Sequence, residues 1–238
     1  MKGPKSMNNP TDRVTEHQDR VRQALPGVAP TLAGYQVETC SGPRGCPNRA
    51  VVCGGLTEKI KELFPARNWK AFLQSLVPGP LKVHHEFRVS VSDCPNACSR
   101  PQIADIGLIG ACPPVVTNEV CTQCHACAEA CLEAAISFSG PAPCVAEALC
   151  LACGKCITAC PTGALQTDVQ GYRILLGGKL GRHPRLATSL PGIFAVEKIP
   201  AVIDMALDYY MHYCRAGERL GEILEKRGIE EISKGIIP

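Results

Sequence analysis

A chain of 238 residues with 45% hydrophobic residues has enough apolar material for one large packed domain or two small ones. Its formal charge of +3 gives no reason to expect a nucleic acid as partner. No apolar run approaches the roughly 18 residues of a membrane span. Aromatic residues make up only 5%, so the core must come from Val, Ile, Leu and Ala. Sixteen cysteines are far above ordinary usage. Residues 1–23 are polar and charged, without the apolar stretch of an export signal, so a cytoplasmic setting is expected. Thiols there stay reduced, and metal binding accounts for the cysteines better than disulfides do.

In chain order, residues 1–30 read as a flexible tail, with room for one short helix. Residues 56–64 (LTEKIKELF) and 68–77 (NWKAFLQSLV) carry helical apolar spacing. Residues 86–92 (EFRVSVS) alternate as a half-buried strand does. Residues 103–111 and 172–178 also read as strands, the latter closed by a glycine pair. Helices are predicted over 199–215 and 217–228, the second stopped by a glycine. Strands and helices thus flank a cysteine-dense middle. The predicted fold is α+β: a mixed-sheet domain over 31–115 and 168–238, interrupted by an insertion over 116–167.

The middle is an internal repeat. CTQCHACAEACLEAAI begins at Cys121 and CLACGKCITACPTGAL at Cys150, with every cysteine of the first block matched in the second. Each block has the C-x2-C-x2-C-x3-C spacing of bacterial two-cluster ferredoxins, in which the fourth cysteine serves the other cluster. Three thiolates on one tight loop cap three irons of a cube, and the fourth must come from elsewhere. One [4Fe–4S] cluster is therefore assigned to Cys121, Cys124, Cys127 and Cys160, and a second to Cys150, Cys153, Cys156 and Cys131. Pro161 follows its cysteine as the pattern expects, whereas Leu132 stands where the first block should have proline.

Four more cysteines form two pairs, Cys40 and Cys46 in ETCSGPRGCPNR and Cys94 and Cys98 in VSDCPNACSRPQ. Either pair alone fits buried thiols or half of a zinc site. Together they offer four soft ligands on Gly- and Pro-rich turns, which suits a third cluster. The C-x5-C and C-x3-C arrangement, with CPNACSRPQIADIGLIG and GYRILLGGKLGRHPRLA, resembles the sirohaem-dependent sulfite and nitrite reductases. It is most similar to the dissimilatory and anaerobic sulfite reductases, which carry an inserted ferredoxin domain. The resemblance implies that Cys40, Cys46, Cys94 and Cys98 bind a [4Fe–4S] cluster, with Cys98 also bridging to the sirohaem iron.

Sirohaem carries eight carboxylates, so its pocket must be basic. Arg44, Arg49 and Arg100 lie beside the cluster cysteines, and Lys179, Arg182, His183 and Arg185 form a second basic loop. The family binds its oxyanion with basic residues just before the second cysteine pair. Arg88 fits one such position and Lys82 is a nearby substitute, while Glu86 occupies the place of a cation. The family also has a region before its first cysteine that covers the haem. With Cys40 so near the start of this sequence, a partner subunit or a second copy of the chain is expected to complete the site. Cys53, Cys112, Cys144 and Cys214 are left as buried or incidental thiols.

Two functions fit. One is a sirohaem enzyme that takes electrons from a ferredoxin-like or other donor and reduces sulfite to sulfide by six electrons, with nitrite as a close variant. The other is an iron–sulfur subunit that relays electrons to a partner reductase.

Overall fold

The computed structural model describes residues 32–236. The N-terminal tail expected over 1–30 lies outside them.

A mixed six-stranded sheet organises the chain. Its strands are β1 (Tyr35–Thr39), β2 (Phe87–Ser92), β3 (Ile106–Ala111), β8 (Gly171–Leu176), β9 (Thr188–Ser189) and β10 (Phe194–Ala195). The order is β1-β2-β3-β8-β10, with β9 also pairing β8. β1, β2 and β3 run parallel, whereas β8 is antiparallel to β3, β9 and β10. Parallel neighbours need crossovers. Helices α1 (Leu56–Ala66) and α2 (Trp69–Leu76) supply the one between β1 and β2.

The alternation in β2 decides its two faces. Phe87, Val89 and Val91 point into the main core with Phe64 and Trp69, joined by Val202, Ile203 and Leu207 of α5 (Ile199–Tyr213). Ser90 and Ser92 point to the opposite face, where the chain after β2 doubles back over the sheet. The Ser90 hydroxyl donates to the Ser99 carbonyl at 2.6 Å, and the Ser99 hydroxyl donates to the Val91 carbonyl at 2.8 Å. Gly107 permits this contact: a Cβ there would stand 2.2 Å from the Pro101 carbonyl oxygen. The predicted strand over 103–111 therefore starts only at Ile106, because Pro101–Ile103 forms a 3-10 turn.

Helices α6 (Leu220–Arg227) and α7 (Glu230–Ile236) close the far end of the core. A buried ion pair ties α6 to the sheet. Asp105, fully buried, accepts from Arg219 at 3.0 and 2.5 Å and from the Arg88 backbone N–H at 2.8 Å.

Between β3 and β8 the chain leaves the sheet. β4 (Val115–Val116) pairs antiparallel with β7 (Leu165–Gln166), so the two ends of the excursion stand together as a neck. Inside it are α3 (Ala126–Glu129), the hairpin β5 (Ile136–Phe138) with β6 (Pro143–Val145), and α4 (Lys155–Ala159). Its small core holds Cys127, Ile136, Cys156 and Leu165.

Candidate functional site

The first cysteine group sits where β1 and β2 end side by side. Cys40 follows β1, and its N–H donates to the Val91 carbonyl at 3.0 Å. Its sulfur accepts from the Gly42 N–H at 3.2 Å and the Asp93 N–H at 3.3 Å. Asp93 in turn fixes the loop carrying Cys46, because its carbonyl accepts from both Ala50 and Val51. The turn from Cys94 reverses direction through Ala97 and Arg100, both at positive φ. Burial raises the Cys94 thiol above its usual value. An Asn96 backbone donor opposes the shift, and the neighbouring thiols Cys40, Cys98 and Cys46 reinforce it. All four predicted cysteines are thus one electrostatic group, with Cys98 on the exposed side. Four neighbouring soft donors, with two N–H groups aimed at the Cys40 sulfur, suit an iron–sulfur cluster.

Two further groups form in the excursion. The Cys127 thiol is raised by burial and then by Cys160 and Cys121, while backbone donors at Ala128 and Cys127 oppose the shift. Burial, then Cys150 and Cys153, with Cys131 adding, push the Cys156 thiol up to about 11. Cys160 thus neighbours the first block's Cys127 and Cys121, and Cys131 the second block's Cys156. Cys124 is exposed on the loop between Cys121 and Cys127. Burial alone would raise the Cys160 thiol, but donors at Leu165, Thr162 and Gly163 outweigh it and bring the thiol below its usual value. Backbone N–H groups also reach the sulfurs of Cys121, Cys131 and Cys150 at 3.3 to 3.4 Å. A cavity of about 70 Å³ is lined by Cys131, Cys150, Cys153 and Cys156, with Pro95 and Asn96 of the first group on its wall. Among the described residues no three His, Cys, Asp or Glu side chains close on a point as ligands of a single metal ion do.

The basic residues divide. Arg88 and Arg100 come together, lining a cavity of about 70 Å³ with Ser90, Ser99, Glu38 and Leu180. The Arg88 Nε is buried without a hydrogen-bond partner. Arg182 and His183 are exposed on the loop after Leu180. Lys179 and Arg185, in contrast, are turned inward. Lys179 is 6% exposed and pairs with Glu222 at 2.8 Å. Arg185 donates to the Gly177 carbonyl at 2.7 Å and lies 3.6 Å from Glu225. Arg44 is exposed and donates to Ser41 at 3.0 Å. Arg49 lines a separate cavity of about 350 Å³ with Lys61, Thr57, Cys53 and Asp93.

Lys82 is exposed before β2 and does not line the cavity that Arg88 shares with Arg100. Nor does Glu86 stand open to an oxyanion: it is 3% exposed and accepts from the Gln36 amide at 2.6 Å.

Of the cysteines left aside, Cys53 meets the buried Tyr172 hydroxyl at 2.6 Å, and that hydroxyl donates to Asp93 at 2.8 Å. Burial pushes the Cys53 thiol up to about 11; Tyr172 pulls against this and Asp93 adds to it. Such a thiol is no nucleophile. Cys144 is exposed and Cys214 is buried. Reasoning from sequence missed Asp93 and Tyr172, although Asp93 stands next to Cys94 in the motif itself.

Cysteine groups of this make, on such a sheet, define an iron–sulfur redox protein. The model of the nitrite and sulphite reductase 4Fe-4S domain matches residues 37–237. Coenzyme F420-dependent sulfite reductase of Methanocaldococcus jannaschii is 34% identical over 88% of this chain and 31% of its own length. An anaerobic sulfite reductase subunit of Salmonella typhimurium is 27% identical over 44% of this chain and 26% of its own. The crystal structure of dissimilatory sulfite reductase I shares the fold, with a TM-score of 0.55 and 16% identity over 83% of this chain and 51% of that one. The chain belongs to the nitrite and sulphite reductase 4Fe-4S domain family. It spans about a third or less of the length of these two curated relatives.

Proposed function

We propose that this chain is the cluster-bearing part of a sirohaem sulfite reductase that converts sulfite to sulfide. The observation that carries the reading is the set of Cys40, Cys46, Cys94 and Cys98 gathered beside a cavity that holds Arg88 and Arg100. In this reading those cysteines would hold one [4Fe–4S] cluster, and Cys98, the exposed member, would link it to sirohaem. Residues 116–167 act as a ferredoxin insertion, with Cys121, Cys124, Cys127 and Cys160 at one cluster and Cys131, Cys150, Cys153 and Cys156 at the other. When bound, these groups would pass on, one at a time, the six electrons that a ferredoxin-like donor provides, and would offer an iron to the substrate.

The protein's own part is electrostatic. Arg88, lining one cavity with the exposed Arg100, and the exposed Arg182 and His183 would meet carboxylates of the macrocycle or the oxyanion itself. Leu180, 58% exposed beside Arg100, offers an apolar surface to the ring. Lys179 and Arg185 serve this site by shaping its loop, because their charges are already met by Glu222 and Glu225. Nitrite suits the same set of cations. A relative that is itself part of a larger enzyme supports a partner chain, and a ferredoxin-like donor suits the exposed cysteine-rich lobe. Among the described residues no helix is long and apolar enough to cross a membrane.

A second reading, an electron-transfer subunit without sirohaem, gains support from the inward turn of Lys179 and Arg185. Anaerobic purification separates the two. The first predicts about twelve cluster irons, four for each cube, together with a Soret band and a long-wavelength haem band. Full iron with neither band establishes the relay. Zinc in place of iron, or iron for two clusters only, refutes the assignment of the Cys40 group.

A further inference from the structure

Cys112, left aside as an incidental thiol, stands between two of the cysteine groups. It is the first residue after β3, where the chain leaves the sheet for the cysteine-rich excursion. Its N–H donates to the Ala152 carbonyl at 2.7 Å, and it pairs in parallel with Cys153 as an isolated bridge. Its buried side chain packs with Cys94 and Ala50 on one side and with Ile157 of α4 on the other. A Cβ at Gly154 would lie 3.1 Å from the Cys112 Cβ and 3.2 Å from its sulfur, and Gly154 has φ +74. Only glycine combines that backbone with so close an approach. A second link fastens the same faces, from Arg173 of β8 to the Leu151 carbonyl at 2.6 Å.

We propose that Cys112 is the positioning residue that couples the Cys131/Cys150/Cys153/Cys156 group to the Cys40/Cys46/Cys94/Cys98 group. This inference rests on the reading that each group holds a cluster. Cys112 fixes the separation of the two groups through its backbone bridge to Cys153. Its polarisable sulfur fills the space between Gly154 and Cys94. An electron crosses close-packed atoms more readily than a void. Each transfer takes one electron from the donor group and gives one to the acceptor, without bond making or proton movement. Reduced methyl viologen is the external reductant.

The test compares wild-type protein with Cys112→Ala, Cys112→Ser and Gly154→Ala, all purified anaerobically. Iron content and the midpoint potential of each cluster are measured first. Rapid freeze-quench EPR after mixing with reduced methyl viologen then follows the order and rate at which the clusters are reduced. Cys112→Ala should slow reduction of the Cys94 group several-fold at unchanged potentials, while Cys112→Ser, which refills the space, recovers most of the rate. Gly154→Ala should slow the same step by forcing the two groups apart. Unchanged rates in Cys112→Ala and Gly154→Ala would overturn the role of Cys112 and leave the cluster assignment standing. Wild-type protein lacking iron at either group would instead remove the underlying reading, and the inference with it.

Discussion

Replacing Arg219 by methionine tests whether the buried Asp105 pair holds the site together. Asp105 is wholly buried and accepts three hydrogen bonds, two of them from the Arg219 guanidinium at 3.0 and 2.5 Å. Burial opposes the charge on Arg219, yet Asp105 outweighs that cost and holds the guanidinium above its usual pKa. Arg219→Met keeps most of the side-chain volume but leaves Asp105 with only the Arg88 N–H. Breaking a buried pair from one side costs about 3–5 kcal/mol, because the remaining charge is uncompensated. Arg67→Met is the control. Its partners Asp204 and Asp208 are 38% and 68% exposed, and pairs near the surface contribute about 0–1 kcal/mol. Thermal unfolding of both anaerobically purified variants, followed by circular dichroism, should therefore show a several-fold larger loss for Arg219→Met. The same variant keeps the backbone N–H that donates to Glu222, so the Lys179–Glu222 contact at the start of the basic loop should persist. Equal losses from the two variants would refute the argument that burial makes the Asp105 pair matter.

Three other outcomes are expected. Burial works to raise the Glu222 carboxyl, but Lys179 and the Arg219 N–H overcome it and hold the group below the usual carboxylate range. Its contribution is thus present above the unfolded pKa of about 4.3 and is lost as pH falls through the lower folded value. Acid titration of stability should show Glu222→Gln weaker than wild type at neutral pH and converging with it in acid. Cys98→Ser should disturb the Cys94-group cluster and the haem spectrum together while the signals of the other two clusters persist; Cys214→Ser, remote and buried, should leave iron content unchanged. Gly107→Ala sets a methyl 2.2 Å from the Pro101 carbonyl, so it should displace the cysteine turn and lower both stability and iron content at the Cys94 group.

Much of the molecule was legible because its signals are local. The repeated C-x2-C-x2-C-x3-C blocks close their turns within a few residues, and each thiol's place follows from spacing. The same pattern led to the expectation that Cys131 and Cys160 are exchanged between blocks. β2, β8 and helices α1, α2, α5 and α6 announced themselves by period, since one face of each is buried in the main core. β1 was missed: it is short, only partly buried, and its pairing to β2 crosses the two helices between them. The site's basic residues could not be sorted in one dimension. Lys179, Arg182, His183 and Arg185 form one run in sequence, yet two of them face inward because α6, far along the chain, brings Glu222 and Glu225 beneath the loop. Lys82 precedes Arg88 in sequence and Arg100 follows it, yet only Arg100 lines its cavity, because the turn after Cys94 folds back over the Ser90 face of β2. Cys112 looked incidental for the same reason. Composition and spacing determined which atoms this protein offers to metal. The three-dimensional packing of α6, the cysteine turn and the excursion decided which charges remain free and which sulfur lies between two cysteine groups, since long-range contacts leave no period in the sequence.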